Sequence, residues 1–413
     1  MKALLLGSTL MAALVLQTGS NSPSAAAAVS AGKPAALSRQ QQHQRVTDLT
    51  TLGRAMFFDQ ALSASGKQSC ASCHSPEHAF GPPNNLPVQP GGRFLTLSGT
   101  RAVPSLRYMQ NTPAFTEHYH DDDGDDSIDA GPTGGRTWDG RVDSAHEQAR
   151  IPLLSTHEMG NASTGEVVNK LRAATYAPQL KALFGAQVFD DPERAFDAAM
   201  HALEVFQENP ADFYPYSSKY DAFLRRQVKL TPQEMRGLSL FNDPDKGNCA
   251  SCHISAVAPN GAFPQFTDYG LIALGAPRNR EIPANANPQY VDLGLCGPER
   301  TDFMDRKDYC GLFKTPTLRN VALRQTFFHN GVFHSLDEVM RFYVERDTAP
   351  QKWYPRNRDR SLRKFDDLLP AYHANVNMEA PFGGKRGDKP VLSASEIQDV
   401  IAFMKTLTDG YQP

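Results

Sequence analysis

Cys70-Ala71-Ser72-Cys73-His74 and Cys249-Ala250-Ser251-Cys252-His253 are one pentapeptide written twice in a chain of 413 residues. Each copy has the C-x-x-C-H spacing at which two thiols form thioethers with the vinyl groups of one haem c. The histidine that follows is left beneath the iron as its proximal ligand, His74 on the first haem and His253 on the second. Two such sites read as a dihaem c-type cytochrome. The implied fold is mostly α, with two tandem cytochrome c-like helical domains that each carry one covalently bound haem. Two C-x-x-C pairs could also close a single tetrahedral zinc site. That alternative leaves the histidine after each second cysteine without a purpose, twice. A thioredoxin-like redox pair would want a βαβ pattern around one C-x-x-C, and the sequence shows none.

The N-terminus agrees with such chemistry. Met1 and Lys2 precede an apolar run from Ala3 to Leu16, followed by small residues through Ala28. This is the pattern of a secretory signal peptide, residues 1–28, whose apolar stretch is short for a membrane span. No later segment resembles a transmembrane helix. Export to the periplasm is also what c-type haem attachment requires, because haem is joined to the thiols outside the cytoplasm. Four of the six cysteines belong to the two motifs, leaving Cys296 and Cys310 to pair as a structural disulfide in an oxidising compartment. A net charge of −3 argues against a nucleic-acid partner.

The motif belongs to a longer repeat. Gly53-Arg54-Ala55-Met56-Phe57 precedes the first copy and Gly237-Leu238-Ser239-Leu240-Phe241 the second, glycine and phenylalanine being four apart in each. The expected domains are residues 29–225 and 226–413. Thr231-Pro232-Gln233-Glu234 is a capping box with proline at the first helical position. Ser393-Ala394-Ser395-Glu396 is another, and Ile397, Val400, Ile401 and Met404 then form the apolar stripe of a closing helix. Pro192 to Leu224 reads as helix followed by linker. Residues 121–129 form an acidic stretch that reads as a solvated insertion; as a Ca²⁺ loop it lacks the EF-hand ligand order.

Several further segments resemble one family. Phe313-Lys314-Thr315-Pro316-Thr317-Leu318-Arg319-Asn320 with Phe328-His329-Asn330-Gly331 resembles the C-terminal haem domain of bacterial dihaem cytochrome c peroxidases. Thr137-Trp138-Asp139-Gly140-Arg141 resembles that family's W-D-G-R stretch. Glu147-Gln148-Ala149 and His157-Glu158-Met159 match its peroxide pocket, and Ile401 to Thr408 its last helix. The resemblance runs from about residue 50 to the C-terminus. It implies an open distal position above His74, with Glu158 moving a proton between the peroxide oxygens and Gln148 orienting the peroxide. It also implies Trp138 as an electron stepping stone between the haems, and Arg141 and His329 as structural partners of haem propionates. On the residues alone, Gln148 and Glu158 read as a solvated helix face and Trp138 as a core aromatic.

The family has two branches. In the peroxidases the second haem takes a methionine fourteen residues after the F-H-[DN]-G histidine, and here that position, counted from His329, is Tyr343. Tyrosine there resembles the MauG branch, including MbnH-type enzymes. A phenolate is a hard anionic donor that favours oxidised iron, whereas a thioether favours ferrous iron. Met340, one helical turn earlier, is the competing ligand, with core filling as its plainer role. The family's R-N-x-P-[ST] stretch, which supplies a Ca²⁺ ligand, reads Arg101-Ala102-Val103-Pro104-Ser105 here, so the resemblance leaves Ca²⁺ doubtful.

The favoured expectation is an enzyme that reacts with H₂O₂, forms a high-valent dihaem state and oxidises a residue on a partner protein. Trp353 is the candidate exit point for that oxidation, with a packing aromatic as the plainer reading. A cytochrome c peroxidase fed by a small cytochrome or copper protein, and a non-enzymatic dihaem electron carrier, are the alternatives.

Overall fold

In the computed structural model the described residues are 37–120 and 130–412; the expected signal segment and the acidic stretch 121–129 lie outside them. The repeat read from sequence becomes a repeated helix crossing. Gly53 lies in the helix Arg39–Phe57, and a Cβ added there would sit 1.9 Å from the Ala202 carbonyl oxygen of the helix Pro192–Gln207. Gly237, in the helix Pro232–Asn242, meets the Asp399 carbonyl oxygen of the helix Ala394–Lys405 in the same way, at 2.0 Å. Only a residue without a side chain lets two helix backbones approach so closely. Four residues on from each contact, the partners stack edge to face: Phe57 on Phe206 at 5.4 Å, and Phe241 on Phe403 at 5.2 Å.

Each crossing anchors its own hydrophobic core. The first gathers buried residues between Leu49 and Phe213, and the second between Tyr220 and Leu407. A smaller third cluster surrounds Cys296 and Cys310, which form a disulfide. All belong to one compact unit, His43–Pro413. Asp409 ties residues of both halves together, accepting from Arg107 and Tyr108 on one side and Asn320 on the other.

Both capping boxes form, Thr231 with Glu234 and Ser393 with Glu396, and Ile397, Val400, Ile401 and Met404 are all buried. The stretch after Gln207, expected as linker, is helical again at Pro210–Phe213 and Lys219–Leu224. Asn209 caps the first, and Ser218 with Asp221 makes a capping box for the second. Among the described residues the strands form two short antiparallel ladders, Pro90–Gly91 with Leu97–Ser98 and Leu271–Ile272 with Phe313–Lys314. The fold is mostly α, and no described helix is long and apolar enough to cross a membrane.

Candidate active site

Each pentapeptide ends in a histidine whose ring is fixed from behind. His74 Nδ1 lies 3.0 Å from the Phe80 carbonyl oxygen, and His253 Nδ1 lies 2.9 Å from that of Phe266. A carbonyl only accepts, so Nδ1 carries the proton and Nε2 is left to bind something else. Burial pushes the His74 imidazole down to about 4 and lowers that of His253, which keeps both neutral as a metal ligand must be. Phe80 and Phe266 share a left-handed backbone, with φ of 54° and 55°. Such a conformation is costly for an aromatic residue, and its recurrence at matching positions points to a functional constraint.

Two tetrapeptides hold these phenylalanines in place. Ser105 Oγ donates to the Ala79 carbonyl at 2.6 Å, and Thr317 Oγ1 to the Gln265 carbonyl at 2.6 Å, each acting on the residue before the phenylalanine. They belong to Pro104-Ser105-Leu106-Arg107 and Pro316-Thr317-Leu318-Arg319. The two arginines anchor each copy: Arg107 to the Asp212 carbonyl and Asp409, Arg319 to Asp221 and the Pro264 carbonyl. The sequence reading passed over this second repeat, although Pro-[Ser/Thr]-Leu-Arg at corresponding places after each motif was a usable signal. The phenylalanines themselves were hidden by unequal spacing, six residues after one histidine and thirteen after the other.

Both pentapeptides open onto one cavity of about 400 Å³. Cys70, Cys73, Cys249 and Cys252 are unpaired there, and burial pushes the Cys70, Cys73 and Cys249 thiols up to about 12. Among the described residues the four thiols do not converge on a common point, which removes the single zinc site as a reading. Paired thiols, a neutral imidazole with a free Nε2 and a largely apolar space fit a haem at each pentapeptide. Arg136 and Arg324 also line the cavity, and Arg136 Nε is buried without a hydrogen-bond partner. Such cations suit propionate groups.

The residues expected to act on peroxide line the same space. Gln148 projects from the helix Ala145–Leu154, while its neighbour Glu147 is spent on a capping box with Ser144. Glu158 sits in a tight turn in which the N–H groups of Glu158 and Gly160 both donate to the Ser155 carbonyl. Gly92 N–H donates to the Glu158 carbonyl at 2.7 Å, and Gly91 packs so near His157 that a Cβ would fall 2.0 Å from its carbonyl oxygen. The Glu158 side chain opens onto the cavity, and the surrounding protein raises its carboxyl above the ordinary range through desolvation, against the lowering influence of Ser155 and Arg141.

Trp138 is buried, its Nε1 donating to the Ala102 carbonyl at 2.7 Å, and Lys314 N–H donates to the Trp138 carbonyl at 2.8 Å. Arg141 bonds Asp139 at 3.0 Å, and His329 stacks on Phe313 with ring centroids 3.5 Å apart; both border the cavity. Arg101 bridges two buried carboxylates, Asp139 at 2.6 Å and Asp292 at 2.6 Å.

On the second pentapeptide's side the helix Leu336–Glu345 carries both Met340 and Tyr343 to the cavity wall. Burial raises the Tyr343 phenol above its usual range, and the neighbouring Cys252 and Cys249 add to the effect. Phe328 and Phe382 flank its ring, with centroids at 6.0 and 5.0 Å. Trp353 is not part of this wall. Its ring meets Phe333 and Phe342 edge to face, each at 5.6 Å, and its Nε1 is buried without a partner.

A family model described as di-haem cytochrome c peroxidase matches residues 47–229. The chain is 33% identical over 399 residues to the methylamine utilization protein MauG of Paracoccus denitrificans, spanning 92% of this chain and 94% of that one. It is 29% identical over 296 residues to the cytochrome c551 peroxidase of Nitrosomonas europaea, at 71% and 72% coverage. Among solved structures, the diheme peroxidase BthA from Burkholderia thailandensis superposes with a TM-score of 0.77 at 39% identity, over 88% of this chain and 86% of the other. With likeness of this extent at both levels, the chain belongs to the family of MauG proteins and di-haem cytochrome c peroxidases, haem-dependent oxidoreductases that act on peroxide.

Proposed function

We propose that this is a periplasmic, MauG-like enzyme that takes oxidising equivalents from H₂O₂ and applies them to a residue of a partner protein. The observation that carries this reading is Tyr343, turned into the cavity beside Cys249 and Cys252 at the position where the peroxidase branch has a thioether. In this reading residues 29–225 carry a haem joined to Cys70 and Cys73, and residues 226–413 one joined to Cys249 and Cys252. His74 would hold the iron of the first haem through its free Nε2, and His253 with Tyr343 would hold that of the second.

When bound, the haem irons supply the redox chemistry with peroxide. The chain's own residues prepare it. Glu158, its carboxyl raised above the ordinary range by desolvation, is suited to take up a proton and pass it between peroxide oxygens. Gln148 offers an amide that orients the peroxide. Trp138 is held rigid through Ala102 and Lys314, which suits an aromatic that relays electrons with little reorganisation. A phenolate at Tyr343 favours oxidised iron and disfavours easy electron uptake from a donor cytochrome. The Arg101 cation already neutralises Asp139 and Asp292, which leaves these two carboxylates poorly disposed to take Ca²⁺.

The test is absorption and EPR spectra of the diferric protein before and after one equivalent of H₂O₂, with Tyr343→Phe alongside. One high-spin and one low-spin signal, both lost to a long-lived product only when Tyr343 is present, supports the proposal. Met340, buried on the same wall, keeps the conventional peroxidase as a second reading. Rapid turnover with reduced cytochrome c, abolished by Met340→Leu and unaffected by Tyr343→Phe, would establish that one instead.

A further inference from the structure

Away from the cavity, His146 on the helix Ala145–Leu154 faces His201 and Glu204 on the helix Pro192–Gln207. One ligand atom from each lies within 4.8 Å of the others. His201 Nδ1 is 3.6 Å from Glu204 Oε2, and the His146 backbone N–H donates to Glu204 Oε1 at 3.3 Å. Asp197, one turn before His201, lies 2.8 Å from His146 Nε2 through Oδ1. All three candidate ligands are half-buried, so an ion from solvent can reach them.

A surface ion-pair network would need only one histidine against these acids. Here two imidazoles and a carboxylate converge from two helices, the N/O donor set that suits zinc and its d-block neighbours. The spread of the ligand atoms is wider than a bound ion allows, so binding requires these side chains to rotate toward the ion. Asp197 already stands in the role of the outer carboxylate that fixes a ligating histidine.

The position gives such an ion a consequence. His146 and Gln148 are two apart and so point to different sides of their helix. Gln148 lines the cavity, as do Leu203 and Gln207 of the partner helix. The cluster therefore bridges two helices that both contribute residues to the cavity wall.

We propose that His146, His201 and Glu204 bind one divalent cation of the zinc class, with Asp197 holding the His146 ring, and that the ion clips these two helices together. The test uses untagged dihaem protein, dialysed against chelator and titrated with ZnCl₂ by calorimetry, with zinc-to-iron ratios measured by elemental analysis. One zinc per two irons is expected, with a higher melting temperature at saturating zinc. The His146→Ala/His201→Ala double variant should lose both effects, and Glu204→Gln, nearly isosteric, should lose most of the affinity. Asp197→Asn should weaken binding about tenfold, and His43→Ala, at an exposed histidine elsewhere, should change nothing. Circular dichroism of each variant confirms that the fold is kept. No saturable binding, or stoichiometric binding that survives in the double variant, overturns the proposal.

Discussion

Replacing Gly237 by alanine sets two effects against each other, and the structure decides the sign. Alanine is the better helix former, worth about 1 kcal/mol inside a helix. Its Cβ, however, would lie 2.0 Å from the Asp399 carbonyl oxygen and 2.8 Å from Phe403 Cβ, against ordinary contact at 3.4 Å and beyond. The obstructing atom is helix backbone, so neither side can yield by turning a side chain. The helices must separate, which also opens the Phe241–Phe403 contact. Overpacking of this kind costs about 1–3 kcal/mol, and a backbone-to-backbone clash belongs at the upper end or above. The net expectation is a loss of about 2 kcal/mol, or about 2–3 °C in melting temperature for a unit of this size. Gly53→Ala, facing the Ala202 carbonyl at 1.9 Å, should behave alike. Gly165→Ala is the control, because it lies in a helix with nothing nearer than Ser163 Oγ at 3.7 Å and should be neutral or slightly stabilising. Thermal melts followed by far-UV circular dichroism read all three. If Gly237→Ala and Gly53→Ala match or exceed the wild type, the close crossings do not exist and helix propensity alone governs these positions.

Three further outcomes are expected. Arg319→Met leaves Asp221 buried and unpaired, both members of the pair being fully buried now, and should cost about 3–5 kcal/mol in denaturant unfolding; a loss below about 1 kcal/mol would show the pair to be dispensable. Glu158→Gln keeps the shape of the turn but removes the transferable proton, so the rate constant for peroxide reaction should fall by about 10²–10⁴ with the resting spectrum unchanged. Glu396 is held down to about 2, from 4.5, first by the Ser393 N–H and then by Lys246. A depressed carboxyl contributes stability that is present above its unfolded value and lost as pH falls toward its folded one. The melting-temperature advantage of wild type over Glu396→Gln should therefore be full above about pH 5 and shrink between 4.5 and 2. An advantage constant with pH would show that the charge is not what stabilises this cap.

The parts legible in the chain were those written locally. A capping box needs only its own four residues, and both boxes formed where their letters stood. The C-x-x-C-H spacing carries its chemistry within five residues, and glycine four before phenylalanine marked two helices that cross their partners in the same manner. Where short-range rules compete, the reading was weaker. The stretch after Gln207 carried its own caps at Asn209 and Ser218, yet its polar, proline-containing composition resembled linker.

What the sequence by itself determined is the mostly helical fold and the family, because these rest on residue identity at short spacing. Tertiary structure alone decided which atoms meet across long separations. It set Ser105 on the Ala79 carbonyl and Thr317 on the Gln265 carbonyl, and it turned Glu158 toward the cavity beside Cys73. It also set His146 against His201 and Glu204 on a seam between helices. Contacts of that kind depend on packing between elements distant in the chain. No pattern within one element specifies the partner it will face.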